Sequence, residues 1–190
     1  MIIGFIGKMG AGKDEAFKQL FQKIDIVQYT FAGPLKRFVK TAWNVSDEDM
    51  LAKPKYVREL LQIVGTNLFR QQVSENFWID QLEKDILRTV DGMQRLASND
   101  KHIGITDVRF LNEAQYITMQ NGLLIRVVRP QGNTVAGAAT VAQQAHASEM
   151  ELEKIKEDVT IKNDGTKEQL SMHVLTAVNS FINWRKSEER

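Results

Sequence analysis

The stretch Gly-Lys-Met-Gly-Ala-Gly-Lys-Asp, residues 7–14, has the residue types and spacing to grip phosphate. It follows the apolar run Met1-Ile2-Ile3-Gly4-Phe5-Ile6 and leads into an amphipathic segment, so strand, glycine loop and helix come in the order that a phosphate-binding loop requires. Glycines let backbone N–H groups face an anion, and the helix N-terminus adds its positive dipole. Lys13 would reach the β- and γ-phosphates of a nucleotide. The residue after it should be Ser or Thr, whose hydroxyl binds magnesium; here it is Asp14. A carboxylate there could hold Mg²⁺ directly or through water, or stabilise the first turn of the helix. The sequence favours neither.

Two further groups carry charge toward the same end of a sheet. "HIGITDVRF" reads as a strand over 103–107 ending in Asp107, with Arg109 two residues on. An acid at the carboxyl end of such a strand is the usual holder of magnesium or its waters. "LLIRVVRP" places Arg126 inside an apolar strand and Arg129 at its end. A charge inside a parallel strand is costly unless paired, so Arg126 is expected to be structural, with a carboxylate partner. Arg129 is expected to face phosphate.

Residues 57–70, "VRELLQIVGTNLFR", form an amphipathic pattern. At roughly 100° per residue, Val57, Leu60, Leu61, Val64 and Leu68 share one face, while Arg58, Gln62, Thr66 and Arg70 drift down the other. A solvated face would show the same pattern. As a binding face, its arginines could serve a phosphate, Gln62 could read a base edge, and Phe69 or Trp78 could stack on a base. His146 lies in "HASEM", either in a lid over bound nucleotide or just before a helix capped by Ser148.

These residues need a scaffold. Strands are expected over 1–6, 26–31, 103–107, 123–130 and 158–162, with helices between them. This alternation implies an α/β fold with a parallel sheet of about five strands and helices on both faces. The helical stretch 34–90 is too long for a simple crossover and reads as an insert; 91–101 reads as a polar loop, and 131–147, rich in Ala, Gly and Gln, as a mobile loop. The chain of 190 residues is long enough for a single domain with a full core. Its net charge of +1 gives no bulk attraction to nucleic acid or membrane. Absence of cysteine excludes a thiol nucleophile and suits a reducing cytoplasm. The short apolar start is neither a signal peptide nor a membrane span.

"GKMGAGKD", "FAGPLK", "RELLQIVGTNLFR" followed by Trp78, "DVRFLNEA" and "HASE", in this order, resemble the bacteriophage deoxynucleoside monophosphate kinases across nearly the whole chain. The resemblance implies a P-loop kinase core over 1–190, with a nucleotide-binding insert at 34–90 and a lid at 130–150. It implies transfer of the ATP γ-phosphate to a deoxynucleoside monophosphate, with Mg²⁺, in the cytoplasm of a host cell if the chain is phage-encoded. By that resemblance Gly10, Ala11, Gly12, Lys13 and Asp14 serve ATP and magnesium, and Asn163 and Asp164 flank the adenine. Lys36, Arg58, Gln62, Arg70 and Trp78 line the acceptor, with His146 in the lid. Asp107, Arg109 and Glu113 sit near the reacting phosphates, and Asp14 and Asp107 hold the metal. Monomer and homodimer are equally compatible with it. One departure stands out: related lids carry several arginines, and 130–150 here contain none. Arg129 must then act from the lid's root, or the lid only excludes water. Two rivals remain, a different small-molecule kinase resembling phosphomevalonate kinase, and an ATP-dependent switch with no small-molecule acceptor.

Overall fold

The computed structural model describes residues 1–97, 101–130 and 147–188. Almost all of the expected lid, His146 included, lies outside the described residues. The chain divides into two compact units, 1–28 with 94–190, and 29–93.

The first unit is built on a five-stranded sheet with strand order β2-β3-β1-β4-β5. The strands are β1 (Ile2–Ile6), β2 (Ile26–Tyr29), β3 (His102–Val108), β4 (Leu123–Val128) and β5 (Val159–Lys162). β1 runs parallel to both β3 and β4, and β4 runs parallel to β5. Parallel strands buried on both faces must be apolar throughout, and every residue of β1 is buried. On one face Ile3 and Phe5 pack with Phe17 and Leu20 of α1 (Lys13–Phe21) and with Val174 and Val178 of the final helix, Lys167–Glu188. On the other lies α7 (Leu111–Met119). Glycines in the strands admit these helices. A Cβ on Gly4 would come 2.5 Å from Ile117, and one on Gly104 would come 2.5 Å from Phe17.

Arg126 is structural, as its place inside β4 demands. Its guanidinium donates to the carbonyls of Leu152 (3.2 Å) and Ile155 (2.5 Å) and pairs with Glu157 at 2.8 Å. It thereby ties the segment after the helix 147–152 to the sheet. Burial by itself would raise the Glu157 carboxyl. Hydrogen bonds from Arg126 and Thr160 outweigh that and hold it below the ordinary carboxylate value. A carboxyl lowered by folding stabilises the protein above its unfolded pKa, and that contribution disappears as pH falls through the folded value. Arg126→Leu leaves Glu157 half-buried without its cation. It should cost roughly 3 kcal/mol, the lower end for breaking such a pair, and remove this acid-side dependence. Thermal unfolding at pH 7 and pH 4 checks both expectations.

The second unit is helical: α2 (Ala32–Ala42), α3 (Asp47–Ala52), α4 (Lys55–Gln62), a π-helix (Ile63–Val73) and α5 (Phe77–Leu87). Ser46 caps α3 by accepting the Asp49 N–H at 3.0 Å. The core joins Val39, Val45, Val57, Val64 and Trp78. Two expectations need correction. Residues 91–101 are not simply a polar loop, because α6 spans Val90–Ala97. Thr89 Oγ1 accepts the Gly92 N–H at 2.9 Å and starts that helix, a cap obscured by the surrounding polar residues. The amphipathic stretch 57–70, read at α-helical pitch, is not one α-helix either. It changes winding at Ile63, and Ser74 N–H bonds Phe69 C=O, five residues back, at 2.9 Å.

Candidate active site

Because neighbouring strands are parallel, their carboxyl ends gather on one edge of the sheet. There the glycine loop follows β1, Asp107 and Arg109 lie at the end of β3, Arg129 follows β4 and Asn163 follows β5.

The loop's shape is set by close approach. Gly12, the N-cap of α1, has φ +100°, and a Cβ there would lie 2.1 Å from Asn163 Nδ2 and 3.8 Å from Arg129 Nη2. Only glycine combines that dihedral with that clearance. Asn163 was expected beside the adenine; its buried side chain instead donates Nδ2–H to Ala11 C=O at 2.9 Å. Its own backbone N–H donates to Val128 C=O at 2.7 Å. Asn163 therefore clamps the glycine loop to the end of the sheet, while Asp164 beside it is exposed. Sequence gave one hint of this role, a polar residue that directly follows a strand in a turn. Lys13 Nζ folds over the loop, donating to Gly7 C=O at 2.7 Å and Lys8 C=O at 3.1 Å. Ala11 is buried and Gly10 exposed, with φ +78°.

Asp14 is exposed in the first turn of α1, and its carboxylate makes no hydrogen bond among the described residues. It does not act as a side-chain cap. Its carboxylate oxygens suit a hard cation.

Asp107 is positioned by an irregularity that no sequence pattern announces. Gly4 pairs with Ile105 and Ile6 with Val108, so Thr106 and Asp107 together oppose Phe5. Such bulges re-aim side chains and recur beside active sites. The slip puts Val108 in the buried position and leaves Asp107 half-buried at the edge. Gln28 Nε2 donates to Thr106 Oγ1 at 2.8 Å and braces the bulge. Glu113, expected near the reacting phosphates, is 2% exposed and accepts the backbone N–H groups of Arg109 (2.8 Å) and Phe110 (3.1 Å). That corrects its role: the carboxylate is turned inward, orders the turn that carries Arg109, and opens α7. Among the described residues no group of three or more His, Cys, Asp or Glu could hold a metal.

In the helical unit, Arg58 is exposed and donates Nε–H to Lys53 C=O at 2.7 Å. Arg70 is half-buried and donates to Glu75 C=O at 3.3 Å. Gln62 is exposed, and Lys36 is half-buried on α2. Trp78 departs from its expected place beside an acceptor base. It is 2% exposed and donates its indole N–H to Gly65 C=O at 2.9 Å. Its ring meets Phe69 at 5.2 Å and Phe77 at 4.9 Å. Trp78 is a core residue because its apolar body and its single donor are both satisfied inside the unit.

Residues 50–174 match the family model described as deoxynucleotide monophosphate kinase. The glycine loop lies outside that range, so loop and family match are independent observations. A protein of Acanthamoeba polyphaga mimivirus described as a candidate deoxynucleotide monophosphate kinase is 29% identical, over 95% of this chain and 97% of its own. The deoxynucleoside-5'-monophosphate kinase of Escherichia phage T5 is 39% identical over a shorter stretch, 37% of this chain and 27% of its own. Among solved structures, shikimate kinase from Aquifex aeolicus has a TM-score of 0.52 at 16% identity, covering 95% of this chain and 97% of its own. Dephospho-CoA kinase from Campylobacter jejuni has 0.51 at 13%, covering 97% and 98%. At such identities these two speak for the fold alone, that of P-loop kinases. Among the described residues no helix is long and apolar enough to cross a membrane. A glycine loop clamped beside Lys13 at the edge of a parallel sheet, together with a family match over most of the chain, leads to one conclusion: the chain belongs to the deoxynucleotide monophosphate kinase family and is a phosphotransferase acting on nucleotides.

Proposed function

We propose that the chain transfers the γ-phosphate of ATP to a deoxynucleoside monophosphate, giving ADP and the deoxynucleoside diphosphate. The observation that carries this is the Lys13 loop held by Asn163, in a chain whose family match spans the arginine-bearing helices. An acceptor phosphate oxygen attacks the γ-phosphorus, and the bond from phosphorus to the β–γ bridging oxygen breaks. Such transfer needs positioning and neutralisation of charge more than covalent help from the protein. The backbone N–H groups of the loop and Lys13 bind the donor's phosphates. Arg109 and Arg129 supply positive charge at the same sheet edge. Lys36, Arg58, Gln62 and Arg70 take the acceptor. Asp164, exposed after β5, remains a candidate neighbour of the adenine, and a lid over 130–150 with His146 remains part of the reading. Asp14 and Asp107 are the oxygen donors that would hold Mg²⁺, which when bound neutralises phosphate charge. The viral sources of the relatives favour a role in supplying precursors for viral DNA synthesis in a host cytoplasm.

A coupled assay with ATP and each of dAMP, dCMP, dGMP, dTMP and modified monophosphates tests the reading. ADP formation that no monophosphate stimulates would overturn it. Asp14→Ser should keep the fold and the transfer but raise the magnesium concentration needed for half-maximal rate, because a hydroxyl is a weaker ligand than a carboxylate. A magnesium titration identical to the wild type's would remove Asp14 from the metal. Arg70→Lys keeps charge but loses the planar fork. It should raise KM for the monophosphate about tenfold with little change in KM for ATP, the size of one charge-assisted contact. Separate titrations of the two substrates measure this.

A further inference from the structure

The π-helix at Ile63–Val73 changes which residues share a face. A π-helix bonds residues five apart and advances roughly 80° per residue instead of 100°. In an α-helix, residues four apart drift by about 40° at each step, and Arg58, Gln62, Thr66 and Arg70 would spiral over about 120°. With the change of winding at Ile63, Thr66 and Arg70 swing back and the four stand in one stripe within roughly 70°. The apolar side changes in step. Continued α winding would bury Leu68 and expose Phe69. In the structure Leu68 is 45% exposed and Ile63 54%, while Phe69 packs on the cluster of Val39, Val57, Val64 and Trp78. Phe69 stacks on Phe77 at 4.3 Å and meets Phe38 edge-on at 5.4 Å.

Two contacts at one residue hold this winding. Gly65 C=O accepts the Trp78 indole N–H inside the core. A Cβ on Gly65 would also come 2.6 Å from Leu35 Cδ2, so any side chain there would have to displace Leu35. Thr66, next along, is half-buried, and its hydroxyl makes no hydrogen bond among the described residues. A threonine on a helix commonly turns its hydroxyl to the carbonyl four residues back; this one does not.

We propose that the π winding, latched by Trp78 on Gly65, is what assembles the acceptor face, and that Thr66 is a further acceptor contact between Gln62 and Arg70. This rests on the acceptor reading given above. Trp78 is a positioning residue that touches no nucleotide, and its effect passes through the backbone of Gly65.

Two experiments decide the matter. The winding itself is read by thermal unfolding. Leu68→Gln should leave Tm within about a degree and Phe69→Gln should lower it by several degrees; the reverse order overturns the winding. The acceptor role is read by kinetics with ATP and the best monophosphate of the panel. Thr66→Val should raise the monophosphate KM about tenfold, as loss of a hydrogen bond to a charged group does. Trp78→Phe, which keeps a ring but loses the donor, should raise it several-fold. In both variants KM for ATP should stay as in the wild type. Unchanged monophosphate KM, or equal losses for both substrates, overturns the proposal. Should no monophosphate be phosphorylated by the wild type, the acceptor reading itself falls, while the comparison of Leu68 with Phe69 still decides the winding.

Discussion

Lys13→Ala is expected to lower kcat by at least about 100-fold while leaving the fold intact. The magnitude is that of removing one preorganised group from developing charge, ~3 kcal/mol or more. Charge grows at the β–γ bridging oxygen as the phosphoryl group leaves, and a lysine at this place in a phosphate-binding loop supplies a cation there. Fold integrity is expected because the Lys13 ammonium bonds two carbonyls of the loop itself, those of Gly7 and Lys8. The apolar core beneath, with Phe5, Phe17 and Val174, does not depend on it. Circular dichroism and thermal unfolding establish the fold, and single-turnover rates measure the step. A folded variant with normal turnover would remove Lys13 from catalysis.

Gly12→Ala should be nearly as damaging, by a different route. The dihedral of φ +100° costs an L-residue about 1–3 kcal/mol. The new methyl would also lie 2.1 Å from Asn163 Nδ2, driving that amide off Ala11 C=O. A buried carbonyl that loses its donor costs about 1–3 kcal/mol more. We expect at least a tenfold rise in KM for ATP and a Tm lower by several degrees. Gly10→Ala is the control, since a Cβ there meets nothing within 4 Å and only its φ of +78° is strained. Gly12→Ala combined with Asn163→Ala separates the causes. If the clash dominates, the double variant binds ATP no worse than Asn163→Ala alone; if the dihedral dominates, it is as weak as Gly12→Ala.

Sequence by itself determined the kind of sheet and the place of the loop. An unbroken apolar strand, a glycine loop with lysine and an amphipathic helix are local features. Their order fixes which edge of a parallel sheet carries the site, because chain connectivity leaves parallel strands no other way to end. It also determined that Arg126 needs partners, since a guanidinium inside a buried strand cannot stand alone. Tertiary structure alone decided what depends on contacts distant in sequence. Asn163 clamps Ala11 across 152 residues, and one polar residue after a strand does not disclose which carbonyl it will meet. Asp107 is aimed by a slip in pairing with β1, which belongs to the pair of strands and not to either one. Glu113 looked available and is occupied by the backbone four residues earlier. The winding of 63–73 is the clearest case. A wheel drawn at α-helical pitch puts Leu68 inside and Phe69 outside. The packing of Phe69 on Phe77 and the bond from Trp78 to Gly65 reverse that choice, because burying a stacked aromatic ring and satisfying a buried indole outweigh the weaker geometry of a π turn.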